Sequence, residues 1–244
     1  VIEKEPVVPV HLLQLSDIHL TADHRPVHGR DPWERLRTVL DVVRSEGTRP
    51  DVVVLTGDLT DDGSYAGCRN LANALAPLGH PILAVPGNHD DPCAVREVFG
   101  PDILEVGEWR IVGIDTSRPG QIHGTADVAT EMSRLDRYDQ RPTLLAMHHP
   151  PVSPVSHRWF QLEGAAELVM ALAQRPYVRA ILSGHLHHPF DSEASGIEVL
   201  GCPSSLIAFR HAVDSIVVGG ARTTGARWCT LQDDGGVTSR LVQA

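Results

Sequence analysis

The chain is poor in cysteine, and its four, Cys68, Cys93, Cys202 and Cys229, stand far apart with no CxxC spacing. That pattern indicates neither a cysteine zinc cluster nor a disulfide framework, and it predicts reduced thiols in the cytosol. No apolar run reaches 18 residues, so no membrane span is expected. Basic residues are also in short supply, with 21 Lys and Arg against 31 Asp and Glu. The resulting charge of −10 argues against a nucleic-acid polymer as partner, because polyanion binding rests on clustered Lys and Arg. A small anion held by metals is not excluded. The opening Val1-Ile2-Glu3-Lys4-Glu5-Pro6 lacks a basic stretch followed by an apolar one, so no signal peptide is expected and the predicted location is cytoplasmic. No internal repeat, low-complexity tract or proline-rich linker divides the 244 residues. We read 1–244 as a single domain, with the candidate motifs in 1–205 and a β-rich remainder in 206–244. Such a chain can bury about three quarters of its unfolded surface.

What is present is a regular alternation of strand and helix patterns. An apolar run over 10–16 predicts a strand, and Pro32 opens a helix over 32–46 with Leu36, Val39, Leu40 and Val43 on one face. The β-branched run 51–56 has the character of a strand buried on both faces. Further strands are expected over 81–85, 110–115, 143–147 and 179–183, and further helices over 64–78, 92–99, 127–137 and 164–174. From Ile197 the helical period disappears. Short strands over 197–200, 215–218, 227–231 and 237–242, joined by glycine-rich turns, read as an antiparallel extension of the same domain. The pattern implies an α/β fold: two mixed sheets packed together with helices outside, a four-layer α/β/β/α sandwich.

The 14 histidines matter by position. Asp17-Ile18-His19 ends the first apolar run, and in an extended strand residues two apart point to one side, so a carboxylate and an imidazole can share one point in space. Alone, such a pair is more often a turn residue and a solvated ring. Later strand ends, however, add Asp58, Asn88, His148 or His149, and the pair His185 and His187. Each has its bland reading as a polar turn. Together they lie where open α/β sheets form ligand sites, at the carboxyl ends of strands. Imidazole, carboxylate and amide oxygen without thiolate suit Zn, Mn, Fe or Co.

The series Asp-x-His, Gly-Asp-x-x-Asp, Gly-Asn-His-Asp, His-His-Pro-Pro and Gly-His-x-His, found between residues 10 and about 205, resembles the calcineurin-like metallophosphoesterase superfamily. Within it, the Gly-Asn-His-Asp, His-His-Pro-Pro and Gly-His-Leu-His forms resemble bacterial class III cyclic-nucleotide phosphodiesterases. The resemblance implies that one metal is held by Asp17, His19, Asp58 and His187, and a second by Asp58, Asn88, His148 and His185, with Asp58 bridging. It favours His148 over His149 as the ligand and leaves His149 a neighbour bordering the substrate with Asn88 and His89. Asp61 would support a ligand or a bound water from behind. A homodimer is also implied, although no heptad or patch in the sequence shows it.

Physical chemistry supports such a site independently. Two divalent ions roughly 3.5 to 4 Å apart lower the pKa of a shared water and hold the phosphoryl oxygens it attacks. With two carboxylates and one hydroxide the site keeps a net charge near +1, which suits a phosphodiester monoanion. The leaving alkoxide needs a proton, and His89, beside Asn88 but not itself an expected ligand, is the candidate general acid, with Asp90 expected to hold its other nitrogen. Of the other histidines, His24, His28, His123, His157 and His211 lie in expected loops that could border a pocket. Trp159-Phe160 could stack on a base, but core or dimer packing is the preferred reading. The expected activity is hydrolysis of a 3′,5′-cyclic nucleotide, cyclic AMP above all, with Mn, Fe or Zn in the dinuclear centre. Alternatives are 2′,3′-cyclic nucleotides, glycerophosphodiesters, or a scaffold that has lost the chemistry.

Overall fold

Residues that alternate between two apolar faces make strands which must be covered on both sides, and the central strands here are of that kind. The computed structural model describes residues 8–212, 215–218 and 224–244, with the backbone alone at 211, 212 and 215–218; the opening segment examined for a signal lies outside them. In chain order the strands begin with β1 (Val10–Leu15), β2 (Val52–Thr56), β3 (Ile82–Val85), β4 (Ile103–Val106), β5 (Trp109–Ile114) and the short β6 (Gly124–Thr125). They continue with β7 (Thr143–Met147), the short β8 (Leu162–Glu163), β9 (Val178–Ser183), β10 (Phe190–Ala194) and β11 (Ile197–Gly201). The last four are β12 (Phe209–Ala212), β13 (Ser215–Val218), β14 (Gly225–Leu231) and β15 (Val237–Gln243). The helices are α1 (Pro32–Ser45), α2 (Tyr65–Leu75), α3 (Pro92–Phe99), α4 (Val128–Leu135) and α5 (Ala165–Leu172).

Two mixed sheets result, ordered β15-β14-β1-β2-β3 and β10-β11-β9-β7-β5-β4. Period-two alternation sorts their side chains into layers. Leu12, Val52, Val54 and Leu83 meet Ile111, Leu144, Ala180 and Leu182 between the sheets. Leu13, Leu15, Val53 and Leu55 face outward onto Leu36, Val39 and Leu40 of α1 and Leu71 of α2. On the far side Val112, Leu145 and Ile181 face Met132 of α4 and Leu168 of α5. This is the expected α/β/β/α sandwich. The helix ends are set locally: Asp31 accepts from the backbone N–H of Trp33 and Glu34 with Pro32 at the first turn, and Asp91 caps α3 ahead of Pro92.

The C-terminal strands differ from the expected antiparallel extension. β14 and β15 are antiparallel and extend the first sheet beyond β1, but β11 runs parallel to β9 in the second sheet. The reason is β10, which has no clear apolar alternation in sequence: the chain turns back at Ser195-Gly196, both with positive φ, and β11 returns alongside β9. Among the described residues no helix is long and apolar enough to cross a membrane, and all four cysteines are free thiols.

Candidate metal centre

The carboxyl ends of β1, β2, β3, β7 and β9 open into loops at one end of the sandwich, and the candidate ligands all lie there. Asp17 and His19 do not converge by strand alternation as expected. β1 ends at Leu15, and both residues take left-handed backbone, with φ of 51° and 52°. The loop is instead moulded on its neighbour: Asp17 N–H donates to the Gly57 carbonyl, Ile18 and His19 N–H to that of Asp58, and Leu20 N–H to that of Leu59. Asp58, His185 and His187 are also left-handed, so five of the eight non-glycine residues of positive φ among those described are candidate ligands. Left-handed backbone is costly for residues with a Cβ and persists where surrounding contacts enforce it, commonly at functional sites.

Close approach of the loops requires two glycines. A Cβ on Gly87 would lie 2.2 Å from Asp58 Oδ1, and one on Gly57 would lie 2.4 Å from His148 Nδ1. Asp90 ties the same loops together. Its half-buried carboxylate accepts from the backbone N–H of Gly87, Leu59 and Thr60 and from the Thr60 hydroxyl. It therefore does not hold His89, as expected, because those four donors draw it beneath the turn. The partner of His89 Nδ1 is Asp61, whose carbonyl is 3.3 Å and whose carboxylate is 3.6 Å away.

The histidine rings share one arrangement. His148 Nδ1 donates to the Thr56 carbonyl at 2.8 Å, His187 Nδ1 to that of Ile207 at 2.9 Å, and His185 Nε2 to that of Trp159 at 2.7 Å. His19 Nδ1 faces the Asp61 carboxylate at 3.4 Å. In His148, His185 and His187 the backbone carbonyl holds one ring nitrogen and orients the ring, which is how ligating histidines are usually held. Nε2 of His19, His148 and His187 lies near a carboxylate. His187 Nε2 is 3.3 Å from Asp17 Oδ1, and His148 Nε2 is 3.4 Å from Asp58 Oδ2 and 3.2 Å from Asn88 Oδ1. His19 Nε2 lies 3.7 Å from the same Asp58 oxygen, which thus stands between the two groups, while Asp58 Oδ1 accepts from His89 N–H.

These residues fit a metal centre. His19 Nε2 and His187 Nε2 face each other at 3.2 Å, and two lone pairs at that distance repel unless a cation or a proton lies between them. Ligand atoms of Asp17, His19, Asp58 and His187 all lie within 4.8 Å of one another, and every one of those residues is buried. Burial works to raise the Asp58 carboxyl, but His148, His19 and His89 outweigh it and hold it well below the usual range. Burial alone would lower the His148 imidazole; Asp58 and then Asp17 overcome this and draw it up to about 9. Burial, reinforced by His148, pushes the His185 imidazole down to about 3, so that ring is neutral and able to ligate. The cluster therefore sets buried carboxylates that call for positive charge beside imidazoles that can ligate.

His149 stands apart. It lies near His148 and His185, yet its Nδ1 is 2.8 Å from the Thr116 hydroxyl and its Nε2 3.0 Å from the Ile122 carbonyl. The ring is buried and takes no part in lining the cavity. That cavity, of about 290 Å³, is floored by His19, Asp58, Asn88, His89, His185 and His187 and walled by His28, Ile122, Trp159, Phe160 and Phe209. Of the loop histidines whose side chains are described, only His28 borders it; His24 stacks on Trp33 instead, and His211 lies in β12 with its side chain outside the described residues. Sequence reasoning missed Thr116, whose position just past the end of β5 was a usable signal. It also missed the carbonyls of Thr56, Trp159 and Ile207, which leave no trace in side-chain identity.

The comparisons agree with this geometry. Residues 10–189 match the calcineurin-like phosphoesterase family. The 3′,5′-cyclic adenosine monophosphate phosphodiesterase CpdA of Pseudomonas aeruginosa is 34% identical over 93% of this chain and 87% of its own. A cAMP/cGMP dual specificity phosphodiesterase of Mycobacterium tuberculosis is 33% identical over 90% of this chain and 74% of its own. Among solved structures, a dimetal phosphatase from Danio rerio superposes with a TM-score of 0.65 at 14% identity, covering 98% of this chain and 99% of that one, which shows a shared fold. By its sequence match and its fold alike, the chain belongs to the calcineurin-like phosphoesterase family.

Proposed function

We propose that this chain is a phosphodiesterase that hydrolyses 3′,5′-cyclic nucleotides, cyclic AMP first, to nucleoside 5′-monophosphates at a dinuclear metal centre. The observation that carries the reading is the convergence of Asp17, His19, His148 and His187 around the Asp58 carboxylate, with Asn88 against His148 and the His185 ring 4.8 Å from that of His148. Support also comes from relatives named as cyclic-nucleotide phosphodiesterases that align over nine tenths of the chain. In this reading Asp17, His19, Asp58 and His187 hold one ion, and Asp58, Asn88, His148 and His185 hold the other. When bound, two such ions supply an activated water and charge for the phosphoryl oxygens, with Mn, Fe or Zn as the candidates.

The chain's own residues do the rest. Asn88 ligates through an amide, so it adds no negative charge to repel the phosphodiester. His89 gives its proton to the leaving oxygen: Asp61 orients the ring at Nδ1, and Nε2 is left to serve the cavity. Asp90 keeps the loops of Asp58 and Asn88 in register. The reading includes one domain over 1–244, a cytoplasmic location and a homodimer, the last open to light scattering.

The test is metal analysis of purified protein with turnover of cyclic AMP, 2′,3′-cyclic AMP and a glycerol phosphodiester. Two metals per chain after reconstitution with Mn, and cyclic AMP as the preferred substrate, are expected. Fewer than two metals and no diesterase activity would overturn the proposal; preference for the glycerol diester would replace its substrate.

A further inference from the structure

The cavity has two unlike sides. One is the polar cluster. The other carries Ile122 and Trp159, both large and apolar, exposed at 42% and 41%. The other three tryptophans, Trp33, Trp109 and Trp228, are at most 9% exposed, so Trp159 alone among the four is presented to solvent. Its neighbour Phe160 is 2% exposed and lines the same cavity with its ring 5.2 Å from that of His185. Trp159 is not loosely placed. It sits in a short 3₁₀ turn whose N-cap is His157, its ring meets the His157 ring edge-on at 5.0 Å, and its carbonyl receives the His185 Nε2–H at 2.7 Å. The backbone bearing the indole is therefore one hydrogen bond from the phosphate-binding floor.

From this we infer that the Trp159 indole, facing the cavity beside Ile122, is the platform on which the nucleobase of the substrate stacks. The inference rests on the phosphodiesterase reading for the floor and adds what the floor lacks. Metals and imidazoles recognise a phosphodiester whatever its substituents, whereas a nucleotide differs from a glycerol diester by a flat π-surface. Every base has such a face, so stacking on an indole selects nucleotides as a class and leaves the choice among bases to edge contacts. His28, which also lines the cavity, can offer one of those edges. An indole exposed on a flat surface would be an ordinary solvent contact; inside a cavity whose opposite side binds anions, it is a recognition element.

Because three tryptophans are buried, nucleotide-dependent quenching of intrinsic fluorescence reports on Trp159. Adenosine 5′-monophosphate should quench the wild type, ribose 5-phosphate should not, and Trp159→Leu should remove the response. In Trp159→Leu the kcat/KM preference for cyclic AMP over a glycerol diester should fall on the order of tenfold, mostly through KM, with Trp159→Phe recovering most of it. Circular dichroism and the buried-tryptophan emission check that the variants fold. Unchanged nucleotide affinity in Trp159→Leu would overturn the platform even if cyclic AMP is turned over. Nucleotide quenching that depends on Trp159 in a protein without cyclic-nucleotide turnover would uphold the platform and overturn the activity.

Discussion

The floor and the wall of the cavity are built by different physics. The floor is buried polar machinery: left-handed backbone at Asp17, His19, Asp58, His185 and His187, each held by hydrogen bonds from a neighbouring loop. The wall is exposed apolar surface, Ile122 and Trp159, on loops between strands. Buried polar groups are costly unless every one is partnered, so a change in the floor propagates through the network. Exposed apolar side chains have no such partners and can be exchanged with local consequences. His149 belongs to neither. It fastens the wall to the scaffold, with the Ile122 carbonyl on one nitrogen and the Thr116 hydroxyl on the other.

Breaking the floor should have the largest effect. Asp58→Ala should reduce bound metal below one per chain and lower activity by more than the roughly 10- to 100-fold that outer partners cost; retention of two metals by elemental analysis would show that the two groups do not share this oxygen. Next, His89→Ala should slow cyclic AMP hydrolysis by about 100-fold, within the range of a general acid, and a p-nitrophenyl ester far less. Equal losses on both substrates would remove the acid role. The boundary between floor and wall is tested by the adjacent pair: His148→Asn should drop one metal, whereas His149→Asn should keep two and cost about 1 to 3 kcal/mol of stability through the unpaired Thr116 and Ile122 groups. Metal loss in His149→Asn would move that ring into the floor. The smallest expected change is that of Trp159→Leu, confined to nucleotide preference.

Much of this was legible in the sequence because the relevant signals are local. The strand and helix periods of 10–16, 32–46 and 143–147 follow from side-chain alternation, and the observed elements agree within a residue or two. The candidate ligands were legible because each follows directly on such a strand. What was misread depended on through-space partners. Asp90 adjoins His89 in sequence but bonds to Leu59, Thr60 and Gly87, since a carboxylate goes to the densest set of free N–H groups rather than to its neighbour. Likewise β11 joins β9 in parallel, because pairing direction is set by the preceding hairpin and not by the strand's own pattern.

The sequence by itself determined the sandwich, the order of the strand-end motifs and the donor types of a metal centre, because periodicity and residue chemistry are properties of the chain at each position. Only the tertiary structure decided which backbone carbonyls hold the rings of His148, His185 and His187, that His148 reaches Asp58 and Asn88 while His149 is held by Thr116 and Ile122, and that Trp159 is exposed at the cavity while Phe160 lines it nearly buried. Those choices turn on backbone carbonyls and on the packing of loops far apart in sequence, which side-chain identity does not encode.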